Sequence, residues 1–181
     1  IKNGTTALVP CGTTGESAPL SYEEHDRVIE LAVQFARKRI PVIAGTGSNS
    51  TEEAIMLTEH AEKAGADASL QVSPYYNRPT QQGLYLHFKA IAEAVDIPII
   101  LYNIASRTGV NIEPETFARL AQVKNIIGVK EASGSLEQMS RIRKLCPKEF
   151  LLISGDDALT LPLLAIGGVG VISVAANILQ C

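Results

Sequence analysis

The stretch Ile126-Ile127-Gly128-Val129-Lys130-Glu131-Ala132-Ser133-Gly134 is an apolar run that ends on a cation and passes into a turn of small residues. A short, continuous apolar run reads as a strand buried on both faces, the kind found in parallel sheets. A lysine at the exit of such a strand loses hydration, which disfavours its ammonium form. One reading lets the Lys130 stem snorkel to water or pair with a carboxylate. The other makes Lys130 an amine nucleophile that captures a carbonyl group as a Schiff base.

Working outward, runs of the same kind recur at 6–11, 41–45, 68–73, 98–103, 150–154 and 170–174. Helical apolar spacing fills the gaps, most clearly at 27–36, 52–63 and 82–94. Ser21-x-x-Glu24, Ser50-x-x-Glu53 and Ser135-x-x-Gln138 fit capping boxes. Pro114 suits a first helical turn, and Gly65 a helix end. Seven strands alternating with helices predict a parallel sheet with right-handed crossovers, in one domain over 1–181. An open sheet would leave reactive residues on the first and fifth strands roughly 20 Å apart. A barrel brings them together across its mouth. If the strand ends form one site, a (β/α)8 barrel is favoured.

Bulk properties narrow the function. The 181 residues are 46% hydrophobic and 19% charged, with a formal net charge of −3. No Lys/Arg block appears, so nucleic acid is not an expected partner. The apolar stretch 161–179 is interrupted by Pro162, Gly167, Gly168, Gly170 and Asn177, which argues against a membrane span. Cys11, Cys146 and Cys181 lack metal-ligand spacing and suit buried thiols in a reducing, cytoplasmic setting. The three histidines fall in predicted helices and form no triad.

The strand ends carry the polar chemistry. Gly12-Thr13-Thr14-Gly15-Glu16-Ser17 offers two glycines, two hydroxyls and free N–H groups to an anion, or simply makes a tight turn. Gly45-Thr46-Gly47-Ser48-Asn49-Ser50 is a partial dinucleotide fingerprint without its last glycine, and reads as a capped loop. Tyr75 and Tyr76 are adjacent and point differently. Tyr102 closes an apolar strand, where a buried phenol needs a partner, and Arg107 follows with a fork suited to a carboxylate. Asp156 and Asp157 are expected to cap a helix over 158–166, with no metal.

Together, Gly12-Thr13-Thr14-Gly15-Glu16, Pro74-Tyr75-Tyr76-Asn77, Tyr102-Asn103 with Arg107-Thr108-Gly109, Gly128-Val129-Lys130-Glu131 and Ser154-Gly155-Asp156-Asp157 resemble the dihydrodipicolinate synthase family. This is a family of pyruvate-dependent class I aldolases of lysine biosynthesis. Thr13-Thr14, Tyr76 and Ser106-Arg107-Thr108-Gly109 favour it over the related N-acetylneuraminate lyases and 2-keto-3-deoxy sugar aldolases.

The resemblance implies a partial barrel without its first strand, its final helix and the C-terminal helices. It implies that Lys130 forms an imine with pyruvate, whose enamine attacks aspartate semialdehyde, with no other cofactor. Tyr102 would be the acid–base group. Thr14 would relay protons between Tyr102 and Tyr76, the latter supplied by a neighbouring subunit of a dimer of dimers. Thr13 would hold the pyruvate carboxylate, Arg107 that of the second substrate, and Gly155 and Ile172 would line the imine pocket. Ser17, Ala18, Tyr22, His25, Asn49, Glu53 and Tyr75 would form an inhibitory L-lysine pocket, with Tyr22 at a variable position. Ala105 stands where the family usually has proline, which would loosen the Arg107 loop. The start at Ile1 suggests a piece of a longer protein, itself a poor catalyst with unpaired sheet edges, or an inactive scaffold. An anion-binding module built on the glycine loops is a further alternative.

Overall fold

Strands β1 (Ile43–Gly45), β2 (Ala68–Val72), β3 (Ile99–Asn103), β4 (Ile126–Glu131), β5 (Leu151–Ser154) and β6 (Gly170–Val171) form one sheet. The computed structural model describes residue 2 and residues 4–179, so Ile1 and Cys181 lie outside the described residues. Strand order follows chain order, and every adjacent pair is parallel. Helix α1 (Tyr22–Ala36) precedes β1. The crossovers then carry α2 (Thr51–Ala64), α3 (Gln81–Ala94), α4 (Ala105–Thr108) with α5 (Pro114–Leu120), α6 (Leu136–Leu145) and α7 (Thr160–Ala165).

The sheet is rolled. Val9, Leu70, Ile100, Tyr102, Ile127, Ile153 and Ile172, drawn from both ends of the strand order, pack in one inner cluster. The opposite face buries Ile99, Leu101, Ile126, Val129 and Leu152 against Phe88, Ile91, Phe117, Leu120, Met139 and Ile142 of the helices. Burial on both faces explains why β3, β4 and β5 read as largely apolar runs, whereas β2 alternates, with Ser69 and Gln71 buried in hydrogen bonds to each other and to Thr46 and Thr58. The architecture is the predicted partial (β/α) barrel.

The pairing of β3 with β4 decides where Lys130 points. Ile99 faces Ile126, yet Ile100 faces Gly128, so Ile127 is an extra residue in β4. Ile126 packs in the outer core, and strict alternation would send Lys130, four residues on, the same way. The bulge reverses the parity. Ile127 joins the inner cluster, and Lys130 comes to lie against Tyr102 inside the barrel.

Several predicted bounds change. The expected strand 6–11 is a single bridge, Leu8 to Val42, supported by Ile43 N–H to Leu8 O and Gly45 N–H to Pro10 O. Pro10 has no N–H to give, and Cys11 takes a φ of 55°, so a ladder cannot form. Gly45 lets this segment lie close, because a Cβ there would run into the Cys11 carbonyl. The last strand is short, Gly170–Val171. Only Ser21 forms a reciprocal capping box. Ser50 and Ser135 accept from Glu53 N–H and Gln138 N–H, but the Glu53 and Gln138 side chains are engaged elsewhere. The helix expected over 158–166 begins at Thr160. Asp156 accepts from Ala158 N–H as a local cap, while Asp157 turns away to accept from Val174 and Ala175 N–H.

Candidate active site

Tyr102 and Lys130 are register partners at the carboxyl ends of β3 and β4. Lys130 Nζ lies 4.0 Å from the centroid of the Tyr102 ring. Tyr102 is 5% exposed and Lys130 9% exposed. Burial pulls the Lys130 ammonium down from its ordinary value to about 8, and the charge of Asp157 opposes that change only partly. A shift of this size corresponds to roughly 3 kcal/mol. At neutral pH it leaves about one amine in ten uncharged, against about one in several thousand for an ordinary lysine.

Gly155 adjoins the lysine stem. A Cβ there would lie 2.8 Å from Ala132 Cβ and 3.1 Å from Lys130 Cε, so glycine is what leaves the stem room. Gly155 N–H donates to Glu131 O at 2.8 Å, and Ile172 N–H to Ser154 O at 2.9 Å. These bonds hold the ends of β4, β5 and β6 level. Burial pushes the Tyr102 phenol up, opposed by the Thr13 hydroxyl and the Arg107 charge. The Tyr102 carbonyl is fixed by Ser73, which donates to it through Oγ at 3.1 Å and N–H at 3.0 Å.

Arg107 lies on α4, directly after β3. Ala105, in place of the expected proline, starts that helix, and its carbonyl accepts from Gly109 N–H at 2.9 Å. Thr108 Oγ1 braces the turn against the carbonyls of Ile104 and Val110. Thr13 and Thr14 sit on a turn closed by Gly15 N–H to Gly12 O and Glu16 N–H to Thr13 O. Both are exposed. The hydroxyl bearing on the phenol within this chain is that of Thr13. Tyr76 stays apart from the cluster. It is 91% exposed and holds a φ of 72°, a left-handed conformation that costs an ordinary residue roughly 1–3 kcal/mol.

A cavity of about 330 Å³ is lined by Thr13, Tyr102 and Arg107 and also by Ser17, Ala18, Tyr22, His25, Glu53 and Tyr75. Asn49 borders it, donating from Nδ2 to the Tyr75 carbonyl at 3.2 Å. Glu53 accepts from the Tyr22 hydroxyl at 2.7 Å and the Ser48 hydroxyl at 2.5 Å. His25 Nε2 meets the Gly45 carbonyl at 2.9 Å. Each candidate named for the second pocket is therefore at or beside one cavity, continuous with Tyr102.

Asp157 is the site residue that sequence reasoning misplaced. Its carboxyl is held below its usual value chiefly by the Ser173 hydroxyl, then by the N–H groups of Ala175 and Val174 and the charge of Lys130. It ties the loop after β5 to the loop after β6. An acid three residues past the end of a strand next to the lysine-bearing strand was the available signal. Cys11 and Cys146 are buried free thiols, both pushed up to about 11 by burial and so unreactive near neutral pH. Among the described residues, no group of three or more His, Cys, Asp or Glu could hold a metal ion, and no helix is long and apolar enough to cross a membrane.

Comparison with known proteins bears on the family and the fold. Residues 1–180 match the sequence model of the Dihydrodipicolinate synthetase family. The chain is 67% identical to a 4-hydroxy-tetrahydrodipicolinate synthase of Syntrophus aciditrophicus over 178 residues, 98% of this chain and 61% of that relative. It superposes on the dihydrodipicolinate synthase of Aquifex aeolicus with a TM-score of 0.96 and 55% identity, covering 98% of this chain and 61% of that one. It also superposes on the enzyme of Cyanidioschyzon merolae, solved with lysine bound, with a TM-score of 0.94 and 53% identity, covering 97% and 60%. The chain thus spans about three fifths of the length of the relatives it matches.

Proposed function

The chain belongs to the dihydrodipicolinate synthetase family, and from that premise we propose that the intact protein condenses pyruvate with aspartate semialdehyde to 4-hydroxy-tetrahydrodipicolinate, in the cytoplasm, through an imine on Lys130. The observation that carries this reading is the buried amine of Lys130, 4.0 Å from the Tyr102 ring. The neutral Nζ adds to the keto carbon of pyruvate, and water leaves as the imine forms. Loss of a methyl proton gives an enamine, whose carbon bonds to the aldehyde of the second substrate. Tyr102 gives a proton to the oxyanion formed there. The amino group of the second substrate then displaces Nζ and closes the ring. No metal or organic cofactor takes part.

Thr13 supports the pyruvate carboxylate and the Tyr102 phenol. Arg107, exposed at the mouth, receives the carboxylate of the second substrate. Gly155 and Ile172 line the imine through their backbone. Tyr76, strained and extended into solvent, serves the site of a neighbouring copy, where Thr14 links it to Tyr102. The protein then works as a homo-oligomer built from such pairs.

Borohydride trapping tests the reading. Pyruvate with borohydride should add one reduced pyruvate to Lys130 and nowhere else. The trapping rate should rise about tenfold per pH unit below 8 and level off above it, because only the neutral amine adds. A rate that ignores pH between 6 and 8, or a label on another residue, would overturn it.

Lysine is the proposed ligand of the second half of the cavity. Its ammonium would bind the Glu53 carboxylate, which also accepts from Tyr22 and Ser48, while Asn49 and Tyr75 take its carboxylate. Calorimetric titration of the assembled protein should show lysine binding, weakened about tenfold or more by Glu53→Ala. Absence of binding heat would end this assignment.

A further inference from the structure

We infer that Glu131 is a positioning residue that fixes the segment carrying Arg107, and through it the seat of the second substrate's carboxylate; this rests on the function proposed above. Glu131 ends β4, next to Lys130, but its fully buried side chain lies on the helix side of the sheet. Its Oε1 accepts from Ser133 N–H at 2.6 Å. Its Oε2 accepts from Asn103 Nδ2 at 3.0 Å and Gln138 Nε2 at 3.2 Å. Every group facing the two oxygens is a donor, so the site suits an ionised carboxylate. Burial pushes its pKa up, and the Ser133 and Asn103 bonds oppose that, with Gln138 contributing less.

The partners show what the carboxylate organises. Asn103 ends β3, one residue after Tyr102. Its Oδ1 accepts from Ile112 N–H at 3.0 Å, and its Nδ2 also reaches Asn111 Oδ1 at 2.8 Å. Asn111 donates to Gln138 Oε1 at 2.8 Å, and Gln138 returns a bond to Asn111 Oδ1 at 3.1 Å. The segment 104–112 is therefore held by Asn103 at its start and by Asn103 and Gln138 at its end, the two amides that bond the buried Glu131 carboxylate, and Arg107 lies in its middle. An exposed arginine on an untethered loop would sample many positions. Here the loop leaves from Asn103 and returns to Asn103 and Gln138, both bonded to the same carboxylate. The network spans β3, β4, α6 and the loop, and among the described residues no other charged group enters it.

The test uses the intact protein carrying Glu131→Gln. An amide in this place turns an NH2 toward at least one of the donors, so the tether loosens with little change in volume. Amide hydrogen exchange should quicken over 104–112 while the other strands and helices keep their protection. The KM for aspartate semialdehyde should rise about ten- to hundredfold, with trapping of pyruvate at Lys130 largely retained. In an Arg107→Ala background the same change should add little, because both act through one contact. Equal fold losses in both backgrounds, or unchanged exchange over 104–112, would overturn the inference. Should Glu131→Gln not fold, Asn111→Ala loosens the same segment by removing its side-chain bonds to Asn103 and Gln138, at the cost of one part-buried Gln138 oxygen losing its donor, and carries the same readouts. If the wild-type protein does not turn over pyruvate with the semialdehyde, the function proposed above fails, and exchange over 104–112 still decides the tether.

Discussion

Replacement of Lys130 by methionine is expected to abolish pyruvate trapping and to lower turnover by about four orders of magnitude or more, while the fold survives. The loss is large because covalent catalysis leaves no partial substitute: without Nζ no imine forms, and no enamine is generated. Stability should move the other way or not at all. The folded chain spends roughly 3 kcal/mol holding an amine where water is scarce. Methionine has a similar length and nothing to desolvate. Against that gain stands the contact between Nζ and the Tyr102 ring, which contributes about 0.5–2 kcal/mol when a cation occupies it. The balance predicts an unchanged or raised Tm in thermal melts, with trapping read by mass spectrometry on the same samples. A variant that still traps pyruvate would remove Lys130 from the chemistry. One that fails to fold would show that the lysine is held for packing.

Much of this arrangement was legible in the sequence, and the illegible parts have a common cause. Continuous apolar runs gave β3, β4 and β5 nearly to the residue, because burial on both faces leaves no polar alternation to misread, and β2 matched as closely although Ser69 and Gln71 alternate with its apolar residues. Lys130 and Tyr102 were legible as polar residues at apolar strand ends, and Arg107 as a cation in the segment that follows β3. What the sequence hid is pairing geometry. Nothing in Ile126-Ile127-Gly128 announces that Ile127 is skipped, yet that slip turns Lys130 into the barrel. The segment 6–11 has strand composition, but proline and a left-handed Cys11 deny it a ladder. Asp157 has the sequence position of a helix cap, and only the return of β6 beside β5 offers it the N–H groups of Val174 and Ala175. The Tyr22–Glu53 bond joins residues on different helices, so neither local pattern could reveal that Glu53 is already occupied. Long-range partners, not local propensity, set these details.

Replacement of Tyr102 by phenylalanine should separate imine formation from the proton transfers that follow it. The ring, buried among Leu70, Ile100 and Lys130, stays in place because only an oxygen is removed. Turnover is expected to fall by about 10²–10⁴, the range for losing one positioned acid–base group. Trapping of pyruvate at Lys130 should persist, with its rate still rising toward pH 8, because the lysine's shift comes from burial and is opposed only by Asp157, neither of which the variant alters. The direction of the phenol's own shift supports the donor role. Burial holds it above its ordinary value, so it keeps its proton through the neutral range despite the Thr13 hydroxyl and the Arg107 charge. It can therefore give a proton to the oxyanion left by carbon–carbon bond formation and then recover one. Steady-state turnover, single-turnover trapping and the pH profile of each, measured together, decide the matter. Equal losses in trapping and turnover would mean that Tyr102 shapes the lysine and moves no proton, whereas full turnover would transfer the acid–base role to another hydroxyl, such as that of Thr13, which bears on the phenol.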